Sequence, residues 1–181
     1  MHIILTILFI IAGIIVVLLI CGLFMRKVHY VNRELIIHAP VQKVFEFLKF
    51  LKNQDQFNKW ATADKENRKE TFTGTDGTVG FIYAWSGNKS AGQGEKEIIN
   101  LVEGKKVETE IRFVKPMRVS ARVIFETTAL PDGQTKVNII NTGTLKYPLN
   151  VMIPMAEKNF PKDLDASLLL LKDIMENNPG N

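Results

Sequence analysis

The side chains best equipped for chemistry in this chain are carboxylates and aromatics at alternating spacing. Glu95 and Glu97 recur two apart, as do Glu108, Glu110 and Arg112. Successive side chains of a strand point to opposite faces, so each set shares a face. A carboxyl held in an apolar cavity has a raised pKa and can serve as general acid or base. A solvated outer face explains the same alternation without chemistry. Phe81, Tyr83 and Trp85 form an aromatic row, either sheet core or the wall of an apolar pocket. His38 closes a strand before Ala39-Pro40, and catalysis there would demand a partnered carboxylate or nucleophile that spacing does not supply. Arg112, Arg118 and Arg122 could hold an anionic head group or form surface ion pairs. Gly92 and Gly94 lack the strand-to-helix setting and Lys-Ser/Thr ending of a phosphate loop, and fit a bulge or sharp bend instead. Met152, Met155 and Phe160 would make an adaptable pocket mouth or pack as core. No catalytic constellation emerges and no catalytic residue is assigned; the pattern describes a container more readily than a reaction.

Composition narrows the partners. The chain has 181 residues, 46% of them apolar, with a formal net charge of +4. Setting aside Arg26 and Lys27 leaves 21 basic against 19 acidic residues, scattered along the chain, which excludes a nucleic-acid footprint. The single cysteine, Cys21, excludes an internal disulfide and a cysteine metal cluster. His2, His29 and His38 are too few and too dispersed for zinc, so neither metal nor cofactor is expected.

Residues 3–24 run for 22 positions without a charge. As a helix they span about 33 Å at 1.5 Å per residue, against a bilayer core of about 30 Å. A cleaved signal peptide would need a basic start and a small-residue cleavage site, and neither is present. A lipoprotein signal at Cys21 would follow Ile20, which is large where a small residue is usual. The reading is an uncleaved single-pass anchor. Arg26, Lys27 and Arg33 follow it and no Lys or Arg precedes it, which places the C-terminal domain in the cytoplasm. Cys21 reads as an apolar residue near the interface, with palmitoylation the alternative.

Residues 28–32 read as a short tether and 33–38 as a first strand. Pro40 opens a helix to Leu51, with Val41, Val44, Phe45 and Leu48 at helical spacing, and a second short helix covers 54–60. Strands follow at 67–73, 79–85, 92–102, 107–114, 119–129 and 137–143. They are joined by turn signals at Gly74-Gly77, Gly87-Asn88, Glu103-Gly104, Lys115-Pro116 and Pro131-Asp132-Gly133. A final helix is expected from Pro161 to Glu176, stopped by Asn177, Asn178, Pro179 and Gly180. Leu164, Leu168, Leu171 and Met175 form its apolar stripe, widened by Leu170 and Ile174.

This order, with IIHAPVQKVFEFL at 36–48, Trp60, WSGNKSAGQGEKEI at 85–98, FVKPM at 113–117, DGQTKV at 132–137 and DLDASLLLLKDIM at 163–175, resembles the START-like (SRPBCC) superfamily. Within it the chain is similar to the polyketide cyclase/dehydrase and lipid-transport branch. The resemblance implies an α+β helix-grip fold: a curved antiparallel sheet of about seven strands around the C-terminal helix, with a cavity between them. The resemblance covers roughly 33–176, and a membrane anchor is not a usual part of the family pattern; with the apolar run, the chain divides into 1–27 as anchor and basic flank, 28–32 as tether and 33–178 as the START-like domain. The resemblance also implies a hydrophobic small molecule or lipid as partner. Carried onto this chain's apolar positions, the ligand-binding residues would be Trp60, Phe81, Tyr83, Trp85, Phe113, Phe125, Met155, Phe160, Leu164 and Leu168. A noncatalytic, membrane-anchored binding protein is the first expectation. A cyclase- or dehydratase-like enzyme using Glu97, His38 or Tyr83 is the second. An envelope or stress-related interaction protein with a filled interior is the third.

Overall fold

The computed structural model describes residues 2–62, 68–87 and 92–177. Alternating apolar and polar residues build one seven-stranded antiparallel sheet in the order β1-β7-β6-β5-β4-β3-β2. The strands are β1 (Val28–Ile37), β2 (Lys69–Thr73), β3 (Ile82–Ser86), β4 (Gln93–Val102), β5 (Lys106–Lys115), β6 (Val119–Ala129) and β7 (Thr135–Thr144). The helices are α1 (His2–Phe24), α2 (Val41–Lys49), α3 (Leu51–Phe57), α4 (Lys59–Thr62) and α5 (Ile153–Asn177). Strands β2 to β7 follow one another as a meander, while β1 returns beside β7. The long α5 lies across the sheet, in the helix-grip arrangement expected. Asn67, the Asn88 half of the Gly87-Asn88 turn, and the helix stop at 178–180 lie outside the described residues.

The core forms where α2 and the C-terminal half of α5 meet the sheet. Val44, Phe45 and Leu48 on α2 pack with Leu164, Leu168, Leu171 and Met175 on α5, over Val107, Phe125, Val137 and Ile139. A smaller cluster joins Leu51, Phe81, Tyr83 and Ile98.

Three expectations need correction. Residues 28–32 are not a tether: Val28 to Asn32 form the first half of β1, paired with Thr144 to Ile140 of β7. His29 and Val31 are buried there while Val28 and Tyr30 are exposed, an alternation that the short apolar count concealed. Phe81 and Val79 precede β3 rather than belonging to it. The last helix starts at Ile153, so Pro161 is interior rather than at its first turn. An interior proline forgoes one helical hydrogen bond and costs about 3 kcal/mol. Tertiary contacts on both sides hold the helix through it. Glu157 pairs with Arg26 and accepts the Tyr30 N–H at 3.3 Å, while Asp165 accepts from Arg33 Nε and Nη2 at 2.6 and 2.7 Å.

The apolar α1 is long enough to cross a membrane and is not buried in the domain. Its C-terminal end is tied down. Asn150, fully buried in a 3-10 turn (Leu149–Met152), donates from Nδ2 to the Gly22 carbonyl at 2.6 Å and the Met25 carbonyl at 3.1 Å. These are carbonyls that a helix end leaves without internal partners.

Strand β4 shifts register against β5 at Gln93/Gly94 and again at Ile98/Asn100. Such bulges bend a strand and sharpen its twist. At Gly94 an added Cβ would stand 2.7 Å from the Arg112 carbonyl oxygen and 2.8 Å from the Trp85 indole. Gly94→Ala is expected to cost about 1–3 kcal/mol, the range for overpacking a closed site. Chemical denaturation followed by tryptophan fluorescence checks this; unchanged stability would mean that the indole moves aside freely.

Candidate ligand cavity

A cavity of about 620 Å³ lies between the sheet and α5. Its size falls within the ~300–1,000 Å³ range of small-molecule pockets. On α5 the wall is Ala156, Phe160, Leu164 and Ser167, spaced so that one face looks onto the sheet. Strands β3, β5 and β6 contribute Tyr83, Trp85, Ile111, Phe113, Val123 and Phe125. Helices α3 and α4 contribute Phe57, Trp60 and Ala61. Trp60 stands edge-on to Phe160, with ring centroids 6.0 Å apart, and is 45% exposed, which sets it at the rim. Trp85 stands edge-on to Phe113 at 5.7 Å.

Of the ten residues expected from the sequence, seven line this space: Trp60, Tyr83, Trp85, Phe113, Phe125, Phe160 and Leu164. Three do not. Phe81 is packed in the smaller core cluster and stacks on Phe72 at 6.2 Å. Leu168 lies one turn beyond Leu164, where α5 has closed onto the main core. Met155 is 56% exposed, because the lining face of α5 runs through Ala156 and points away from it.

The candidate acid–base groups divide by strand parity. Glu97 is not in the cavity: Arg112 donates to Glu95 at 2.7 Å, Glu97 at 2.6 Å and Glu110 at 2.6 Å, on the outer face. Those three carboxylates raise the guanidinium pKa further, so Arg112 is a fixed cation between strands. Arg122 pairs with Glu108, and Arg118 is exposed. His38 is on the surface, with Nδ1 2.9 Å from Glu176 Oε1.

Facing inward from β4, directly across from Tyr83, is Lys96. It is only 6% exposed and lines the cavity. It donates to Gln54 Oε1, and Gln54 is itself held by donating to the Leu48 carbonyl at 2.6 Å. Beside it, Arg68 bridges Asp55 and Glu70, at 2.8 Å to the latter, and lies over the Tyr83 ring. The Tyr83 hydroxyl donates to Glu70 at 2.8 Å. Burial first, then Asp55 and Glu70, push the Tyr83 pKa up, so the phenol stays protonated and cannot serve as a base near neutrality. Burial pushes the Lys96 ammonium down to about 8; Asp55 and Asp76 oppose this and Arg68 adds to it. A second polar spot lies toward β1 and β7, where His29 Nε2 donates to Asn141 Oδ1 at 2.8 Å.

Residue-type reasoning missed Lys96, Gln54, Asp55, Arg68 and the His29–Asn141 pair. Lys96 carried a usable signal: it shares parity with Ile98, the buried side of β4, against Glu95 and Glu97. The others are joined only by the fold. Among the described residues no group of three or more His, Cys, Asp or Glu could hold a metal ion.

No family profile and no curated protein matches the chain in sequence. In fold it is similar to truncated norcoclaurine synthase from Thalictrum flavum, with TM-score 0.65, 10% identity, and 83% of this chain and 95% of that one covered. It is similar to the di-domain ARO/CYC StfQ from the steffimycin biosynthetic pathway, with TM-score 0.61, 12% identity, and 86% and 53% covered. A structural-genomics target from Chromobacterium violaceum aligns with TM-score 0.58, 14% identity, and 82% and 97% covered. At such identities the likeness establishes the fold alone, the helix-grip arrangement of a seven-stranded antiparallel sheet and a long C-terminal helix.

The Lys96 charge makes a prediction about stability. Its folded pKa lies below the ordinary 10.5, so above about pH 8 the unfolded chain holds the proton more tightly than the folded one. Stability contributed at this site therefore rises with pH. Between pH 7 and about pH 9.5 the wild type is expected to gain about 2 kcal/mol relative to Lys96→Met. Parallel denaturation curves at the two pH values check it; a constant difference would mean that the ammonium is not desolvated.

Proposed function

We propose that this is a membrane-anchored binding protein for a hydrophobic small molecule or lipid, held between the sheet and α5. The observation that carries the reading is the cavity itself, about 620 Å³ walled mainly by aromatic and aliphatic side chains. Closely packed interiors hold few voids larger than a water, so a space of this size is a built feature. It also counts against the third expectation, an interaction protein with a filled interior. The apolar α1 supports the anchor, and the basic residues after it support a cytoplasmic domain. The α1 end docks on Asn150, between the lining residues Leu145 and Ala156 in the chain, which would keep this part of the cavity wall near the lipid surface.

An enzyme acting on a hydrophobic substrate is the second reading. The observation in its favour is the set of ionisable groups in the lining, Lys96, Asp55, Arg68, Tyr83 and His29. Asp55 is engaged by Arg68 and Tyr83 is held protonated, which leaves Lys96 and His29 as the groups to carry any chemistry.

Native mass spectrometry of the full chain released from its own membrane is expected to show a bound apolar mass, and its chemical identity after incubation separates a retained guest from a converted one. Recovery without any guest, together with no binding across a panel of apolar ligands, would overturn both readings. Ala121→Trp, which fills the lining from β6, is expected to weaken binding of a neutral dye such as N-phenyl-1-naphthylamine by about tenfold or more. An unaltered far-ultraviolet circular dichroism spectrum and a cooperative thermal transition would show that the fold survives the substitution.

A further inference from the structure

Lys96 is a buried cation with no carboxylate in contact among the described residues. Its ammonium has three donors, and one of them goes to Gln54 Oε1. Among the described residues it forms no ion pair. Gln54 is 1% exposed and anchored to the Leu48 carbonyl, so its oxygen cannot swing away and Lys96 is held at one place on the cavity wall. Burying an ammonium with no carboxylate in direct contact is costly, and its remaining donors call for acceptors.

Resting on the cavity reading above, we infer that the guest is a neutral amphiphile whose polar end carries a carbonyl oxygen, ketone or ester, that accepts from Lys96 Nζ. The local charges select against the alternatives. Arg68 is balanced by Asp55 and Glu70, and Asp76 accepts backbone N–H groups of Leu51 and Lys52 at the start of α3. Lys96 and Arg68 against Asp55, Glu70 and Asp76 come to −1, two positive charges against three negative. A carboxylate head would add an uncompensated negative charge to this set, and a cationic head would meet two positive ones. A hydroxyl head would bring a donor of its own. The nearby acceptors are already engaged: Gln54 by Lys96, Asp55 by Arg68, and Glu70 by both Arg68 and Tyr83. A carbonyl only accepts, so it satisfies the ammonium and asks for nothing in return. Trp85, Ile111, Phe113 and Phe125 then take the apolar remainder.

The recognition is pH-dependent, because the ammonium has two spare donors and its charge strengthens their hydrogen bonds, whereas the neutral amine keeps a single weaker one. The groups around it are Asp55 on α3, Asp76 in the turn after β2, Arg68 before β2, Glu70 on β2 and Tyr83 on β3. Of these, Lys96 is the one that titrates near pH 8, so raising the pH removes the preferred donor while leaving the apolar wall unchanged.

The test uses the full chain in phosphatidylcholine nanodiscs, with partition into empty discs subtracted. N-phenyl-1-naphthylamine is displaced by 2-undecanone, undecane or undecanoate at pH 7. The ketone is expected to compete about tenfold better than either of the others. Lys96→Met is expected still to bind undecane, at least as well as the wild type, which shows an intact cavity, and to lose the ketone preference to within about twofold. At about pH 9.5 the wild-type preference is expected to shrink, with no change in the variant. Undecanoate binding as well as the ketone or better, or equal competition by all three, would overturn the carbonyl assignment while leaving the cavity reading intact. Failure of the dye and every competitor to bind would overturn the cavity reading and this inference with it.

Discussion

The structure depends on how α5 meets the sheet. Toward its C-terminal end, Leu168, Leu171 and Met175 close onto α2 and the strands as buried core, and Leu164 borders both core and cavity. The other inward positions before Leu168 are Ala156, Phe160 and Ser167, two small residues and one aromatic. Small side chains there cannot reach a sheet that bends away at the two β4 bulges. The helix is thus gripped at one end and held off at the other. Interior Pro161 falls between the two regimes, kept helical by the Glu157 and Asp165 contacts to Arg26, Tyr30 and Arg33.

A cavity produced in this way concentrates electrostatics. The low-dielectric wall that suits an apolar guest is the same wall that raises the cost of Lys96, Arg68, Asp55 and Glu70 beside it. Arg68, Asp55, Glu70 and Tyr83 meet that cost among themselves through direct ion pairs and hydrogen bonds. Lys96 meets it only in part, through a neutral amide. The Arg112 network with Glu95, Glu97 and Glu110, one residue out of phase on the same sheet, shows the contrast. There solvent screens the charges, and the ion pairs join strands without perturbing anything inside.

Period-2 alternation, turn residues and the closing apolar stripe made the seven-stranded sheet, α2 and the core half of α5 legible from residues alone. Parity within β3 put Tyr83 and Trp85 on one face, while Phe113 on β5 joined them only as an expectation drawn from the resemblance. Alternation failed where an element extended past its strongest signal. Val28 to Asn32 carries only two inward residues, His29 and Val31, and reads as a linker until β7 is beside it. Pro161 reads as a helix start because local propensity knows nothing of the anchors on either side of it. Met155 and Leu168 sit on the right helix but at the wrong angle and the wrong turn, a distinction that requires the helix start and the sheet's curvature together.

By itself, the sequence determined the alternation that makes the strands, the long charge-free segment at the N-terminus, the order of elements, and the absence of cysteine or histidine clusters, because each of these is a local property of residue type and spacing. Only the tertiary structure decided that a space stays open under α5, that Lys96 faces it while Glu97 does not, and that Gln54, Asp55, Arg68 and Glu70 gather around that lysine. Those residues come from α3, the segment before β2, β2 and β4, and nothing in their spacing brings them together. Their meeting follows from register and sheet curvature, which are set by the sum of many packing contacts rather than by any one stretch of chain.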